Sequence, residues 1–121
     1  MVRLSSWQIG ILLGYCMFMT VGQISFKYIS LSLGQSVSLA DAAVRLPTNA
    51  LFWATGFLYF ISTIYWTWVL TQVPLAIAYP FVSLTLVIVP CLGWALFSET
   101  LTPINVLGIG LIIFGVACVA R

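Results

Sequence analysis

Lys27 is the first residue in this chain whose type and setting could do chemistry. No charge occurs between Leu4 and Phe26, and apolar and small polar residues continue after Lys27 to Leu33. An ionisable group inside a membrane helix is expensive, and is a functional candidate for that reason. Gln23 stands four residues earlier on the same helical face, with Tyr15, Met19 and Gly22 along or beside that stripe. A lysine held in low dielectric is a point charge suited to a phosphate. The competing explanation is a lysine near a helix end whose ammonium reaches the lipid headgroups.

Other candidates are weaker. Pro80 removes a backbone donor, leaving the carbonyl near Ala76 free to bind a substrate hydroxyl or to hydrate; Tyr79 and Ser83 share a face beside it. A plain structural kink explains the same residues. Tyr59 and Trp66 could wall a ligand site, with Ser62 and Thr63 on adjoining faces, or simply present aromatic bulk to lipid. Glu99 closes an apolar run, where its charge opposes one helix dipole and suits the next. This suggests a structural tie between the third and fourth helices rather than proton transfer. Gly108 and Gly115 are seven apart, on one face, and predict a close-packed seam within the protomer or between protomers.

Much chemistry is excluded. The chain has no histidine and only two carboxylates, so a metal site or a nucleophilic triad lacks raw material. Its three cysteines fall in apolar runs without ligand spacing and read as small apolar filler. The net charge of +2 does not suggest a nucleic-acid partner. No catalytic residue, metal or cofactor is expected, and the chain is not read as an enzyme.

The elements that must position these residues follow from the scarcity of charge. Hydrophobic residues make up 63% of the chain and charged residues 5%, too few to disperse a soluble domain in water. The outer face must therefore meet lipid. The charge-free stretches Leu4–Phe26 and Thr100–Ala120 each fit one crossing, and Leu46–Ser98 fits two. The expected fold is an all-α membrane protein, a single four-helix transmembrane domain over residues 1–121. Its helices run about 6–33, 50–71, 75–97 and 103–120. A β-barrel would need polar and apolar residues to alternate, and Leu107–Val119 shows no alternation.

Local signals set the boundaries. Trp7 marks an interface, Gly34 stops the first helix, and Thr102-Pro103 opens the last. The third helix should bend near Pro80 and Pro90. The connection 35–49 reads as a short amphipathic surface helix capped by Ser36, with Asp41 and Arg45 as a helical pair, or as an ordinary polar loop. No cleavable signal is evident, because the first apolar run is too long. Arg3 and Arg121 lie on one side, Arg45 and Lys27 on the other, so no charge bias sets the orientation.

At these residues the chain resembles the small members of the drug/metabolite transporter superfamily (EamA-like). The resemblance rests on Gly22-Gln23-x-x-x-Lys27, on Val73-Pro74-Leu75-Ala76-Ile77-Ala78-Tyr79-Pro80, and on Glu99-x-x-x-Pro103 with Gly108 and Gly115. It is nearest to the small subunits that flip aminoarabinose linked to undecaprenyl phosphate. It is more distantly similar to the small multidrug resistance exporters, whose first-helix glutamate falls at Met19 here. The resemblance implies a transporter of a lipid-linked sugar or lipid phosphate in the bacterial inner membrane. Lys27, Gln23, Tyr79, Ser83, Tyr15, Tyr59 and Trp66 would contact the substrate, with Pro80 and Glu99 structural. It also implies a homodimer, possibly antiparallel, or a heterodimer with a similar small subunit. The alternatives are an exporter of small cations or metabolites and a non-transporting accessory subunit.

Overall fold

Every backbone amide that leaves water must find a partner within the chain, and helices satisfy this residue by residue. A computed structural model describes residues 4–35 and 37–119, and no strand occurs among them. Helix α1 spans Ser6–Leu33, α2 Leu39–Arg45, α3 Ala50–Gln72, α4 Leu75–Val82, α5 Thr85–Phe97 and α6 Pro103–Val119. A 3-10 turn, Leu46–Thr48, joins α2 to α3. The fold is an all-helical membrane protein. Two stretches, Ser6–Leu33 and Leu75–Phe97, are long and apolar enough by composition to cross a bilayer. The aromatic α3 is as long as the second of these and carries no charge, but its tryptophans and tyrosines lower its mean hydropathy.

Side chains near the helix ends satisfy the terminal amides. Ser5 and Gln8 form a reciprocal capping box at α1, and Gly34, at φ 91°, closes it. Asn49 caps α3 through Leu51 N, and Thr102 Oγ1 accepts from Asn105 N at the start of α6. The connecting helix differs from expectation. Ser36 lies outside the described residues, and the cap of α2 is Ser38, whose hydroxyl accepts from Asp41 N and donates to Asp41 Oδ2 at 2.7 Å. Asp41 is thus turned toward the cap, and no Asp41–Arg45 ion pair forms among the described residues. The apolar Leu39 and Val44 of α2 are left exposed.

The expected third helix is two helices. Pro80 and Pro90 sit inside α4 and α5, yet the interruption falls between them at Ser83-Leu84. There the ladder tightens: Leu84 N donates to Phe81 O at 3.0 Å, three residues back instead of four. Side chains add hydrogen bonds to the carbonyls around the break. Ser83 Oγ donates to Pro80 O at 2.5 Å, Thr85 Oγ1 to Val82 O at 2.7 Å, and Cys16 Sγ of α1 to Phe81 O at 3.2 Å. Hydroxyls next to a helix break make the break tolerable in lipid.

Helix α1 lies at the centre, against α3, α4 and α5, while α6 packs mainly on α4 and α5. The core gathers Ile11, Leu12, Val69, Val73, Ala78 and Phe81 at the end holding the Gln72–Pro74 turn. Gly22 lets α3 approach, since a Cβ there would meet the Tyr59 ring at 2.5 Å. The accessible surface is 8118 Å². A compact soluble chain of this mass would show about 6,500 Å². Large apolar side chains are exposed on every long helix, among them Met17 of α1, Phe57 of α3 and Ile104, Leu107, Leu111 and Phe114 of α6. A seam within the protomer at Gly108 and Gly115 is not formed: a Cβ at either would meet open space.

The α1–α3 contact gives a direct test. Gly22→Ala should lower stability by about 1–3 kcal/mol through overpacking against Tyr59. Gly56→Ala on the open face of α3 should be neutral or stabilising. Thermal unfolding in detergent compares the two, and equal midpoints would remove the α1–α3 approach as the reason for Gly22.

Candidate functional site

Helices α1 and α5 run in the same direction, so the far end of α1 lies beside the far end of α5, and a lysine and a glutamate meet there. Lys27 Nζ lies 2.5 Å from Glu99 Oε1. The tie therefore runs from the α5–α6 connection to α1, rather than between the third and fourth helices as expected. Lys27 is six residues before the end of α1, about 9 Å along its axis. Its ammonium also sits 5.8 Å from the centroid of the Phe97 ring, within range of a cation–π attraction.

The position of Glu99 is built by α5. Ser98 adopts a left-handed conformation, φ 54°, which turns the chain back on itself. The amides of Ser98 and Glu99 both donate to the Gly93 carbonyl. The Glu99 side chain then folds over Gly93, where a Cβ would come within 2.6 Å of Oε2. Nothing in the spacing of Gly93 announces this; only the folded turn shows that the glycine makes room for a carboxylate.

The pair borders a groove between α1 and α5 of about 440 Å³, whose wall includes Gln23, Phe26, Val89, Pro90 and Phe97. Lys27 also borders a second hollow beyond it, with Ser30, Gly34 and Gln35. It thus stands between the groove and the end of the helix. Gln23, one turn deeper, donates through Nε2 to Tyr59 Oη at 3.2 Å, and Phe26 stacks on Tyr59 at 5.2 Å between centroids.

The remaining expected site residues form a separate tier. Tyr15 stacks on Trp66 at 4.4 Å, and Trp66 meets Tyr79 edge-on at 5.9 Å. Twelve residues separate Tyr15 from Lys27 on α1, about 18 Å of helix. Lys27, Gln23 and Tyr59 are brought together, and Tyr15, Trp66 and Tyr79 are brought together. Ser83 spends its proton on Pro80 O at the helix break. Phe26, Val89, Gly93 and Phe97 border the groove without having been expected there.

Met19 fills the place where the exporters carry a glutamate, and its sulfur accepts from the buried Ser62 hydroxyl at 3.9 Å. No group of three metal-binding side chains occurs among the described residues.

A "Probable 4-amino-4-deoxy-L-arabinose-phosphoundecaprenol flippase subunit ArnE" of Pseudomonas savastanoi pv. phaseolicola is 30% identical over 110 residues, 91% of this chain and 94% of that one. The chain belongs to the ArnE family of flippase subunits. The subunit of the same name in Hamiltonella defensa is 32% identical over 107 residues, covering 88% of this chain and 90% of that protein. Its Klebsiella pneumoniae counterpart is 41% identical over 51 residues, 42% of this chain and 46% of that one, so this match spans under half of that subunit's length. No family profile and no solved structure matches the chain. ArnE-type subunits are transporters by name, so the chain is a transporter subunit and not an enzyme.

The coupling across the groove is measurable. Both partners of the Lys27–Glu99 pair are more than a third exposed. A double-mutant cycle with Lys27→Gln and Glu99→Gln should therefore give a coupling of about 0.5–1 kcal/mol to unfolding in detergent. A coupling near zero would mean that the pair does not hold α1 to α5.

Proposed function

We propose that this chain is half of a flippase in the bacterial inner membrane, crossing it four times as a single domain. Its cargo is a lipid-linked sugar or lipid phosphate of the undecaprenyl-phosphate type. The observation that carries this reading is the placing of Lys27: a cation on the wall of an apolar-sided groove, one turn from Gln23. A phosphate bound there meets Lys27, and sugar hydroxyls meet Gln23 and Tyr59. The lipid tail stays in the bilayer. Farther along α1, Tyr15, Trp66 and Tyr79, with Ser83 beside the helix break, offer a wall on which a sugar ring stacks during passage.

The family supports this cargo, since its relatives are named for a phosphoundecaprenol-linked aminosugar. Met19 supports it against a proton-coupled cation exporter, because a thioether exchanges no proton. The word subunit in the relatives' names supports a working unit of more than one chain. The exposed face of α6 with Gly108 and Gly115 is the surface we assign to pairing, with a second copy or a similar small subunit. The short α2 lies on the membrane surface with Leu39 and Val44 toward lipid.

Reconstituted in vesicles, the protein should move a fluorescent undecaprenyl-phosphate-linked sugar between leaflets, and Lys27→Ala should slow this at least tenfold, the loss of one charge-assisted contact of about 1.5 kcal/mol. Equal rates for the two would remove Lys27 from the mechanism. Gly115→Trp should deplete the dimer in detergent by filling the α6 seam. An undiminished dimer population places that glycine elsewhere.

A further inference from the structure

A groove built for phosphate alone has no use for a carboxylate beside its cation. Yet Glu99 sits 2.5 Å from Lys27 on the groove wall. A lipid phosphate that binds Lys27 must displace Glu99 and then face it, two negative charges in one groove. Such like-charge juxtaposition is a means of rejecting wrong partners. A headgroup that also carries a protonated amine reverses the account. Phosphate takes Lys27, ammonium takes Glu99, and one ion pair becomes two. Both side chains are reachable, at 38% and 47% exposure. The space beside Gly93 gives the carboxylate a seat with no Cβ to obstruct it. Of the two carboxylates in the chain, Asp41 is engaged at the cap of α2, leaving Glu99 as the groove's anion.

The geometry points to Glu99 as a specificity-determining residue: it receives the amine of an amine-bearing lipid phosphate and repels lipid phosphates that lack one. This rests on the phosphate-binding role given above to Lys27. It assigns Glu99 a function beyond tying helices together, and it makes the Lys27–Glu99 pair the resting form of a two-charge site.

Two probes that differ only in charge test it. Dodecyl phosphoethanolamine carries an amine, and dodecyl 2-hydroxyethyl phosphate carries a hydroxyl in its place. Binding of each to the full chain in detergent is followed by calorimetric titration. The wild type should prefer the amine probe by about fivefold, the strength of one partly exposed ion pair. Glu99→Gln should abolish the preference, mainly by strengthening binding of the hydroxyl probe, and Glu99→Asp should retain it. A wild-type ratio near one overturns the inference and needs no variant to fold. A ratio that survives Glu99→Gln overturns it as well. Should Lys27→Gln bind both probes as the wild type does, the phosphate role of Lys27 fails and the inference falls with it. Should Lys27→Gln weaken both while the ratio survives Glu99→Gln, the inference alone fails.

Discussion

Backbone hydrogen bonding without water is the constraint on which this structure depends. A polar group left unpaired in hydrocarbon costs several kcal/mol, so the chain bonds its hydroxyls to its own helical carbonyls. Thr20, Ser25, Thr55, Thr63 and Thr67 each donate to the carbonyl four residues back in the same helix. Ser83 and Thr85 do the same work at the interruption between α4 and α5. Once these are subtracted, few polar groups remain for a ligand. Those that remain on the groove are Gln23, Lys27 and Glu99, with Tyr59 behind them.

The electrostatics are equally sparse. A buried or half-buried charge is tolerable when paired, and each charge of the groove is the other's partner. Phe97 lies beside the ammonium and adds a face of negative quadrupole. On the deeper part of α1, where the distant exporters place a carboxylate, Met19 and Ser62 make an uncharged contact. The protein thus concentrates its charge near one end of α1 and leaves the middle neutral.

Much of the fold was legible in the sequence because gaps between charges measure helices directly. The limits of α1 at Ser6 and Leu33, the Asn49–Ala50 start of α3 and the opening of α6 at Pro103 coincide with local caps, and caps are written in one to four residues. The break at Ser83-Leu84 was not legible. Proline marks a missing donor, but the place where the ladder gives way depends on which nearby hydroxyls and thiols can donate to the carbonyls around it. The site shows the same division. Lys27 and Gln23 stood out by type and spacing. Glu99 stood out as a charge and reads in the sequence as a tie between the third and fourth helices; its pairing with Lys27 of α1 arises from tertiary packing. Gly93 and Phe97 gave no signal, since their roles arise from a turn whose geometry is tertiary.

The interruption in the third apolar stretch divides it by what each part holds. On one side, Ala78 and Phe81 of α4 are rooted in the core with α1 and α3. On the other, Val89, Pro90, Gly93 and Phe97 of α5 form a wall of the groove. Two residues with shortened hydrogen bonds join them. Core packing and groove lining are thus carried by two separate short helices, so a substitution in one need not disturb the side chains of the other.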